Sequence, residues 1–247
     1  MIRTLLLDIE TAPHLATVWG LWQQNVGINQ LLESGYTLCW AAKWHGENDV
    51  LFDSTHRSGT KRMVRRIHRL IDQADEVVHY NGLKFDIPVL NREFLLQGMN
   101  PPAPARQVDM LRVVRSRFRL ASNKLDYVAR ELGIGHKTHH KGHELWLGCM
   151  AGDASSWRTM ERYNRNDVVL LEKLYNRLIA WRRPGVNRSI HAGSVVCCNC
   201  GSGRLQYRGW ANTAAGRYPR MQCQACGTWN RGNLQLRAAT KTLPLVA

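Results

Sequence analysis

From Lys173 to its end, the sequence contains no aspartate or glutamate. All 19 acidic residues lie at or before Glu172, whereas 12 of the 34 lysines and arginines follow it. The formal net charge is therefore +12 beyond Glu172 and only +3 up to it. A basic segment of this kind is typical of proteins that bind polyanions, most often nucleic acids. A tail that aids solubility or contacts a membrane surface is the alternative, but this segment is rich in cysteine, glycine and aromatic residues.

The sequence also lacks an apolar run long enough to cross a membrane, and the run at its N-terminus is too short for a secretory signal. We therefore expect a soluble, intracellular protein. Hydrophobic residues make up 44% of the chain, which argues against disorder. A length of 247 residues allows one large domain, or one domain with a small module.

The first apolar run leads directly into two acidic residues, Asp8 and Glu10. Residues two apart share one face of a strand, so these side chains would lie side by side. Two ionised carboxylates at this separation repel each other unless a cation lies between them, and Mg²⁺ or Mn²⁺ suits such oxygen ligands. The alternative is a strand that ends at Leu7, with both acids solvated in a turn.

Beyond this strand, the spacing of apolar residues predicts alternating strands and helices. We predict strands at 36–44 and 49–53, which form a hairpin, and at 76–80 and 107–110. We predict helices at 61–73, 86–97, 110–118 and 124–132, and a helical region from 143 to 181 with a break near 152. The stretch 11–35 is predicted to be a loop that includes a short helix. Together these elements predict an α/β fold with a mixed sheet and helices on its faces.

Two further acids stand where strands and helices meet. Asp86 follows the strand at 76–80 and begins a helix, where its ordinary role is that of an N-cap, which need not exclude metal binding. Asp167 lies on the apolar face of its helix, and Tyr163 shares that face because it is four residues earlier. Burying an unpaired carboxylate costs several kcal/mol, so Asp167 requires either a metal ion or an arginine partner.

These residues form three ordered motifs, which are Asp8-x-Glu10, Asn81-x-x-x-Phe85-Asp86 and Tyr163-x-x-x-Asp167. In order and spacing they resemble the motifs of the DEDD family of 3′–5′ exonucleases, which has the ribonuclease H-like fold. The tyrosine resembles the DEDDy branch, to which proofreading domains of DNA polymerases belong; the DEDDh branch would have a histidine where Arg162 stands. The segment Ser122–Ala129 also resembles the exonuclease domain of family-B polymerases. The resemblance covers roughly residues 1–182.

The resemblance implies metal-dependent hydrolysis of DNA from its 3′ end. Two Mg²⁺ or Mn²⁺ ions would activate the attacking water and stabilise the leaving oxygen. Their ligands would be Asp8, Glu10, Asp86 and Asp167. Tyr163 would orient the water, since its ordinary pKa near 10 disfavours a role as base. The terminal nucleotide would contact Ile9, Thr11, Asn81 and Phe85, although a core position for Phe85 is the alternative.

The same resemblance suggests a replication-associated protein of a bacterium or phage. It implies single-stranded or frayed DNA 3′ ends as the substrate, a separate DNA polymerase as partner for proofreading in trans, and the cytoplasm of a bacterial or phage-infected cell as the location. Two alternatives stay open: an exoribonuclease that trims RNA, and a non-catalytic nucleic-acid-binding scaffold that has kept the fold. The intact set of four carboxylates and one tyrosine favours the enzyme.

Two polar features near the motifs have more than one interpretation. Asp109, near the end of a short strand, could support the site without holding metal. The loop 136–142 and the residue after it contain four histidines, which are His136, His139, His140 and His143. They could bind zinc, but the loop contains lysines and no carboxylate motif, so we expect phosphate contact or a solvated loop.

Five of the seven cysteines cluster near the C-terminus, whereas Cys39 and Cys149 are expected to be plain thiols. Two Cys-x-x-Cys pairs, each followed by glycine, predict a structural zinc ribbon with one Zn²⁺. The predicted ligands are Cys197, Cys200, Cys223 and Cys226. Cys198 could replace Cys197, and redox dithiols are the alternative to a metal site.

We therefore predict an exonuclease domain at 1–183, a linker at 184–194, a zinc ribbon at 195–236 and a tail at 237–247. The ribbon interleaves cations with aromatic residues, which suits phosphate contact and base stacking. The predicted nucleic-acid contacts there are Arg204, Arg208, Trp210, Arg217, Arg220 and Arg231. The alternative is that the aromatic residues form the small core of the ribbon.

Overall fold

The computed structural model describes residues 2–183, 185–214 and 216–232. It contains two compact units, Met1–Asn176 and Arg177–Ala247, so the division lies before the predicted linker at 184–194. The predicted tail at 237–247 and the predicted ribbon residues 233–236 lie outside the described residues. Within the described ranges, no helix combines the length and the apolar character needed to cross a membrane.

A five-stranded sheet forms the centre of the first unit, in the order β5-β4-β1-β6-β7. Its strands are β1 (Thr4–Thr11), β4 (Thr37–Trp44), β5 (Leu51–Ser54), β6 (Glu76–His79) and β7 (Arg106–Asp109). β1 pairs with β4 in the antiparallel sense and with β6 in the parallel sense, and β4 and β5 form the predicted hairpin. The predicted mixed sheet is therefore confirmed.

The central strand β1 is buried and does not end at Leu7, so the interpretation of its two acids as solvated turn residues is wrong. Side chains alternate across the sheet. Leu5, Leu7 and Ile9 pack into the core on one face, and Asp8 and Glu10 lie on the other. The same strand thus contributes to the core and to a polar site.

Helices cover both faces of the sheet. α1 (Thr55–Asp72) and α2 (Asp86–Leu96) pack on the face of Leu5 and Leu7, where Met63 and Leu90 join the core. The long helix α6 (Ala154–Leu178) covers the other face, where its Asn164 contacts Asp8. The remaining helices are α3 (Met110–Arg117), α4 (Leu125–Glu131) and α5 (His143–Met150).

α1 begins six residues before the predicted start, because Ser54 caps it. The Ser54 side chain accepts a hydrogen bond from the backbone N–H of Arg57 at 3.0 Å. Gly59, with φ of 72°, interrupts the helical backbone four residues after that first turn begins. The short turn before Gly59 has no apolar periodicity of its own, which explains why the sequence pattern predicted only the part from Lys61 onwards.

The stretch predicted as a loop at 11–35 contains a small hairpin. Its strands, β2 (Leu15–Ala16) and β3 (Leu31–Glu33), pair in the antiparallel sense, and a 3-10 turn at Ile28–Gln30 precedes β3. The hairpin tip carries exposed apolar side chains, among them Trp19, which is 98% exposed, and Trp22. No lysine, arginine or acid occurs from Thr11 to Leu32.

The second unit contains a three-stranded antiparallel sheet in the order β10-β9-β8. Its strands are β8 (Leu205–Thr213), β9 (Gly216–Cys223) and β10 (Trp229–Arg231), and a 3-10 turn lies at Arg188–Ile190. The cysteine pairs flank this sheet: one precedes β8, and the other connects the end of β9 to β10.

Candidate active site

Three carboxylates meet on the α6 side of the sheet. One oxygen from each of Asp8, Glu10 and Asp167 lies within 4.8 Å of the others. β1 provides the first two, and α6 provides Asp167, whose side chain is only 1% exposed. Asn164, one turn before Asp167, donates its Nδ2–H to Asp8 Oδ2 at 2.7 Å and orients that carboxylate. The motifs did not identify Asn164.

Asp86 lies beside this group but is not part of it among the described residues. Pairing between β1 and β6 stops at Leu6, and Asp86 Oδ1 accepts a hydrogen bond from the Ile9 N–H, 3.2 Å away. Asp86 is the first residue of α2, and the capping position is held by Phe85, so the N-cap interpretation is wrong. The predicted fourth ligand therefore also fastens the end of β1 to α2.

Burial and mutual repulsion make the charged forms of these acids costly. Burial, followed by the charges of Asp167, Glu10 and Asp86, raises the pKa of Asp8 well above its ordinary value. Burial raises the pKa of Glu10 to about 8 and that of Asp86 to about 7, and it also raises the pKa of Asp167. Only nearby cations can keep such a group ionised near neutral pH.

One such cation comes from the loop at 136–142. Lys137 Nζ donates to Asp167 Oδ2 at 2.5 Å and to the Tyr163 hydroxyl oxygen at 3.0 Å. Burial lowers the pKa of Lys137, but the neighbouring carboxylates and Tyr163 outweigh burial and hold it above its ordinary value. The Lys137 backbone N–H donates to Asp126 Oδ1 at 2.7 Å, which fixes the loop. The cationic partner of Asp167 is therefore Lys137 and not the arginine that was the alternative to a metal ion.

The chemistry of the site fits divalent cations. Asp167 Oδ1 is buried and has no hydrogen-bond partner in the part of the chain that the structure describes. A single ammonium cannot neutralise three clustered carboxylates with Asp86 behind them, and hard divalent ions prefer such oxygen donors. The residues present therefore fit the predicted Mg²⁺ or Mn²⁺ site.

Tyr163 forms one wall of this site together with two rings. Its ring centroid lies 4.8 Å from that of His140 and 6.1 Å from that of Trp146. Burial raises the pKa of the Tyr163 phenol above its ordinary value, so the hydroxyl keeps its proton. The four histidines of the loop region form no metal-binding group among the described residues, and His140 instead packs against the site.

An open cleft of about 540 Å³ begins at Asp8 and Lys137. Its other polar lining residues are Tyr80, Asn81, Arg115, Asn123, Lys124 and Asp126. Asn81, a predicted nucleotide contact, adopts φ of 70° and donates its backbone N–H to Asp109 Oδ1 at 2.9 Å. Asp109 thus positions the turn beside the cleft. Arg115 and Lys124, which sequence reasoning missed, add positive charge next to the acids.

The other predicted nucleotide contacts differ in accessibility. The Ile9 side chain is 3% exposed and packs in the core on the opposite face of the sheet, which leaves only the Ile9 backbone for the predicted contact with the nucleotide. Phe85 is 42% exposed, which rules out a core position. Thr11 is partly exposed at the end of β1, beside a bulge.

In the second unit, four thiols converge. Cys197 Sγ lies 3.7 Å from Cys226 Sγ, and Cys200 Sγ lies 3.6 Å from Cys223 Sγ. All four sulfur atoms are within 4.8 Å of one another. Cys198 is not in this group, and its backbone N–H donates to Asn230 Oδ1.

Both cysteine pairs have the same local backbone. Gly201 and Gly227 adopt φ of 76° and 78°, and each donates its N–H at 2.9 Å to the carbonyl of the first cysteine of its pair. This positive φ favours glycine, which is the residue that follows each Cys-x-x-Cys pair in the sequence. All seven cysteines are free thiols in this structure, and the four that converge fit a closed tetrahedral zinc site.

The predicted nucleic-acid contacts of the ribbon do not form one surface. Arg220 pairs with Arg231 across β9 and β10, so both side chains lie on one face, and each stacks on an aromatic ring. Arg217 stacks on Trp210 from the opposite face, because residues alternate along β9. Arg204 precedes β8, and Arg208 lies in a bulge of that strand.

Comparisons with known proteins give one family match and a match to a solved structure. The family model of the RNase H superfamily matches residues 5–179. No curated protein sequence matches the chain. Among solved structures, the family B DNA polymerase from the hyperthermophilic archaeon Pyrobaculum calidifontis matches with a TM-score of 0.56 and 18% identity. The match covers 73% of this chain but 25% of that polymerase, and at this identity it shows the fold alone.

Proposed function

The chain belongs to the RNase H superfamily, and on that premise we propose that it is a metal-dependent 3′–5′ exonuclease that hydrolyses DNA from the 3′ end. The observation that carries the proposal is the group formed by Asp8, Glu10 and Asp167 beside an open basic cleft. The 3′–5′ direction rests on the resemblance of the three motifs to the DEDDy branch. The same resemblance supports a role in replication, in the cytoplasm of a bacterial or phage-infected cell.

In the proposed reaction, Asp8, Glu10, Asp86 and Asp167 would hold two Mg²⁺ or Mn²⁺ ions. When bound, such ions supply charge neutralisation and Lewis-acid activation of water. The remaining roles belong to side chains of the protein. Asn164 holds Asp8 in place, and Tyr163 retains its proton and orients the attacking water through its hydroxyl.

Substrate binding is proposed for the cleft. Arg115 and Lys124 provide cations for substrate phosphates in the cleft, and Phe85 provides an exposed ring near the start of α2. The Lys137 ammonium lies between Asp167 and the cleft, where it offsets negative charge that would repel the phosphate. The cations of the cleft and the exposed Phe85 ring together favour a nucleic-acid end whose bases are unpaired.

We propose that the second unit anchors nucleic acid and is held together by one structural Zn²⁺. Arg220 with Trp229 and Arg231 with Tyr218 offer a cation beside an aromatic ring on one exposed sheet face. Removing residues 184–247 should weaken DNA binding and flatten its salt dependence. An unchanged salt slope would point to a protein-docking role for this unit.

We propose that a separate DNA polymerase or another replication protein binds the hairpin that β2 and β3 form. Its tip has exposed Trp19, Leu21 and Trp22 and no charged side chain, which is typical of the anchors of a protein interface. Co-elution with the replicative polymerase of the same organism tests this, with Trp19→Ala/Trp22→Ala as the comparison. Equal co-elution of both forms would argue against the hairpin.

Digestion of end-labelled nucleic acid tests the main proposal. Single-stranded DNA, duplex DNA and RNA, each labelled at the 5′ end, should be compared with Mg²⁺, with Mn²⁺ and without added metal. We expect a ladder that shortens from the 3′ end of DNA, fastest on single strands, and protection when the 3′ end is blocked. Preference for RNA would support an exoribonuclease, and binding without digestion would support a scaffold.

A further inference from the structure

One face of α1 is almost entirely cationic. The helix buries Met63, Val64, Ile67 and Ile71 against the sheet. At 100° per residue, the side opposite these positions is occupied by cations. We call this surface the α1 basic face, and it consists of Lys61, Arg62, Arg65, Arg66 and Arg69. The only acid in the helix is its last residue, Asp72.

This face differs from an ordinary solvated helix face, on which acids and bases alternate. Lys61 and Arg65, and Arg65 and Arg69, are like charges four residues apart, and each such pair destabilises the helix. Arg66 forms an ion pair with Asp53, at 2.7 Å between Nη1 and Oδ2. Among the described residues, the other four cations of this face have no ion-pair partner; they are Lys61, Arg62, Arg65 and Arg69. A bound polyanion would remove this repulsion.

The charge of the first unit is concentrated here. Helix α1 has six lysines and arginines and one acid, a net charge of +5, whereas residues 1–172 as a whole have +3. Everything else up to Glu172 is therefore net negative. Strong positive charge is therefore not confined to the C-terminal third of the chain, because α1 is a second local source.

The α1 basic face is separate from the acidic site. Helix α1 packs against Leu5, Leu7 and Ile9, on one side of the central strand. Asp8 and Glu10 point to the other side, which α6 covers. The cations therefore lie across the sheet from the carboxylates and cannot contact a phosphate that is bound at those carboxylates.

The arrangement suits a regular phosphate backbone rather than exposed bases. Lys61, Arg65 and Arg69 follow one another at four-residue steps, which correspond to about 6 Å each along the helix axis. No tryptophan, tyrosine or phenylalanine occurs in α1, so the face offers nothing on which bases could stack. Contacts made only by cations are typical of sequence-independent binding to duplex backbones.

We propose that the α1 basic face is a second nucleic-acid-binding surface, which holds the sugar–phosphate backbone of duplex nucleic acid apart from the site of cleavage. The inference rests on the proposed function in that the substrate is nucleic acid. It adds a duplex-binding surface that retains the enzyme on a long substrate while the acidic site engages an end.

Binding measurements on matched variants test this. The test variant is Lys61→Gln/Arg65→Gln/Arg69→Gln, and the control is Arg106→Gln/Arg158→Gln/Lys173→Gln, which removes the same charge from exposed positions elsewhere in the first unit. Both are made in an Asp8→Asn background without chelator, so that neither cleavage nor loss of zinc intervenes. Fluorescence anisotropy then gives the affinity for a long labelled duplex over a series of salt concentrations.

We expect the slope of log K against log salt to fall by about 2–3 in the test variant and by less than about 1 in the control. Duplex affinity should drop at least tenfold more in the test variant than in the control. Equal losses in both variants, or no loss in either, would overturn the proposal; the latter would favour an acidic protein as the ligand. Binding needs no cleavage here, so a chain without nuclease activity would refute the proposed function and leave this result standing.

Discussion

The acidic cluster and the cysteine cluster are both candidate metal sites, but they are built in opposite ways. Asp8 and Asp167 come from a strand and a helix that are far apart in the chain, and their cluster borders an open cleft. The thiols come from two short turns with the same hydrogen bonds, and Cys197 and Cys223 are buried. The fold of the first unit brings the carboxylates together, whereas the cysteine site holds together the short segments of the second unit.

The two constructions suit the two sites to different roles. Four thiolates complete a tetrahedral sphere and leave no position for substrate, so the cysteine site suits a structural ion. The carboxylates are crowded, have raised pKa values and depend on Lys137 for compensation. Such a site is costly to maintain without ligands, which is common at catalytic centres.

Replacing Cys223 by serine should have the largest effect on folding. Structural zinc contributes roughly 10–16 kcal/mol in small modules, so losing one of four ligands should unfold the second unit. Zinc content by atomic absorption and limited proteolysis report the loss. Cys198→Ser is the matched control, because Cys198 lies outside the cluster. Equal zinc loss in the two variants would contradict the assigned ligands.

Replacing Asp167 by alanine, or Asp8 by alanine, should abolish metal-dependent digestion while the zinc content stays the same. Removing a ligand of a catalytic ion forfeits several kcal/mol of transition-state stabilisation, or roughly a thousandfold in rate. Asp49→Asn, at an exposed acid of the same unit, serves as the control. Digestion at the wild-type rate by either alanine variant would show that the site is assigned wrongly.

Replacing Lys137 by methionine should reduce the rate by about 10–100-fold, since hydrogen bonds to charged groups contribute about 1.5–3 kcal/mol. The change keeps most of the side-chain volume but removes the donor to Asp167 and Tyr163. Lys141→Met in the same loop is the control. The opposite result, a faster variant at low Mn²⁺, would mean that Lys137 competes with the ions.

The smallest effect is expected in thermal stability against pH. Burial raises the pKa of Glu10 to about 8 and of Asp86 to about 7, so the folded chain favours the protonated acids. Their contribution is complete below the ordinary pKa near 4 and is lost as pH rises through about 7 and 8. The melting temperature of the metal-free first unit should therefore fall by several degrees between pH 5 and 8.5, roughly 2–4 °C per kcal/mol.

Two controls sharpen this last comparison. Glu10→Gln should flatten the pH dependence, because it removes one of the two groups that titrate. Mn²⁺ should restore the melting temperature more at pH 8.5 than at pH 5, since protons compete with the ion for the same oxygens. A melting temperature that rises with pH in the metal-free chain would contradict the raised pKa values.

Much of the fold could be predicted because its signals are local. The strand before Asp8, the helix that begins at Asp86 and the α6 face that carries Tyr163 and Asp167 follow from apolar periodicity. The two cysteine knuckles are also local, since each needs only a pair of cysteines and a glycine that can adopt positive φ. These features were predicted at or near their observed positions.

Other parts of the site depend on contacts between distant segments. Lys137 reaches Asp167 because Asp126 and the path of the loop place it there, and the only signal for it was the need of a buried acid for a cation. Asp86 turns to the free Ile9 N–H because the β1–β6 pairing stops early. No spacing in the sequence encodes where that pairing ends.

From the sequence alone we could predict most elements of the first unit, the identity of the clustered carboxylates and thiols, and the concentration of positive charge in the last third of the chain. The tertiary structure decided which face each side chain occupies: Ile9 in the core, Asp8 in the site, the α1 basic face across the sheet, and Arg217 opposite Arg220. The physical reason is that periodicity is a property of neighbouring residues. The partner of a buried charge depends on which distant segments pack together.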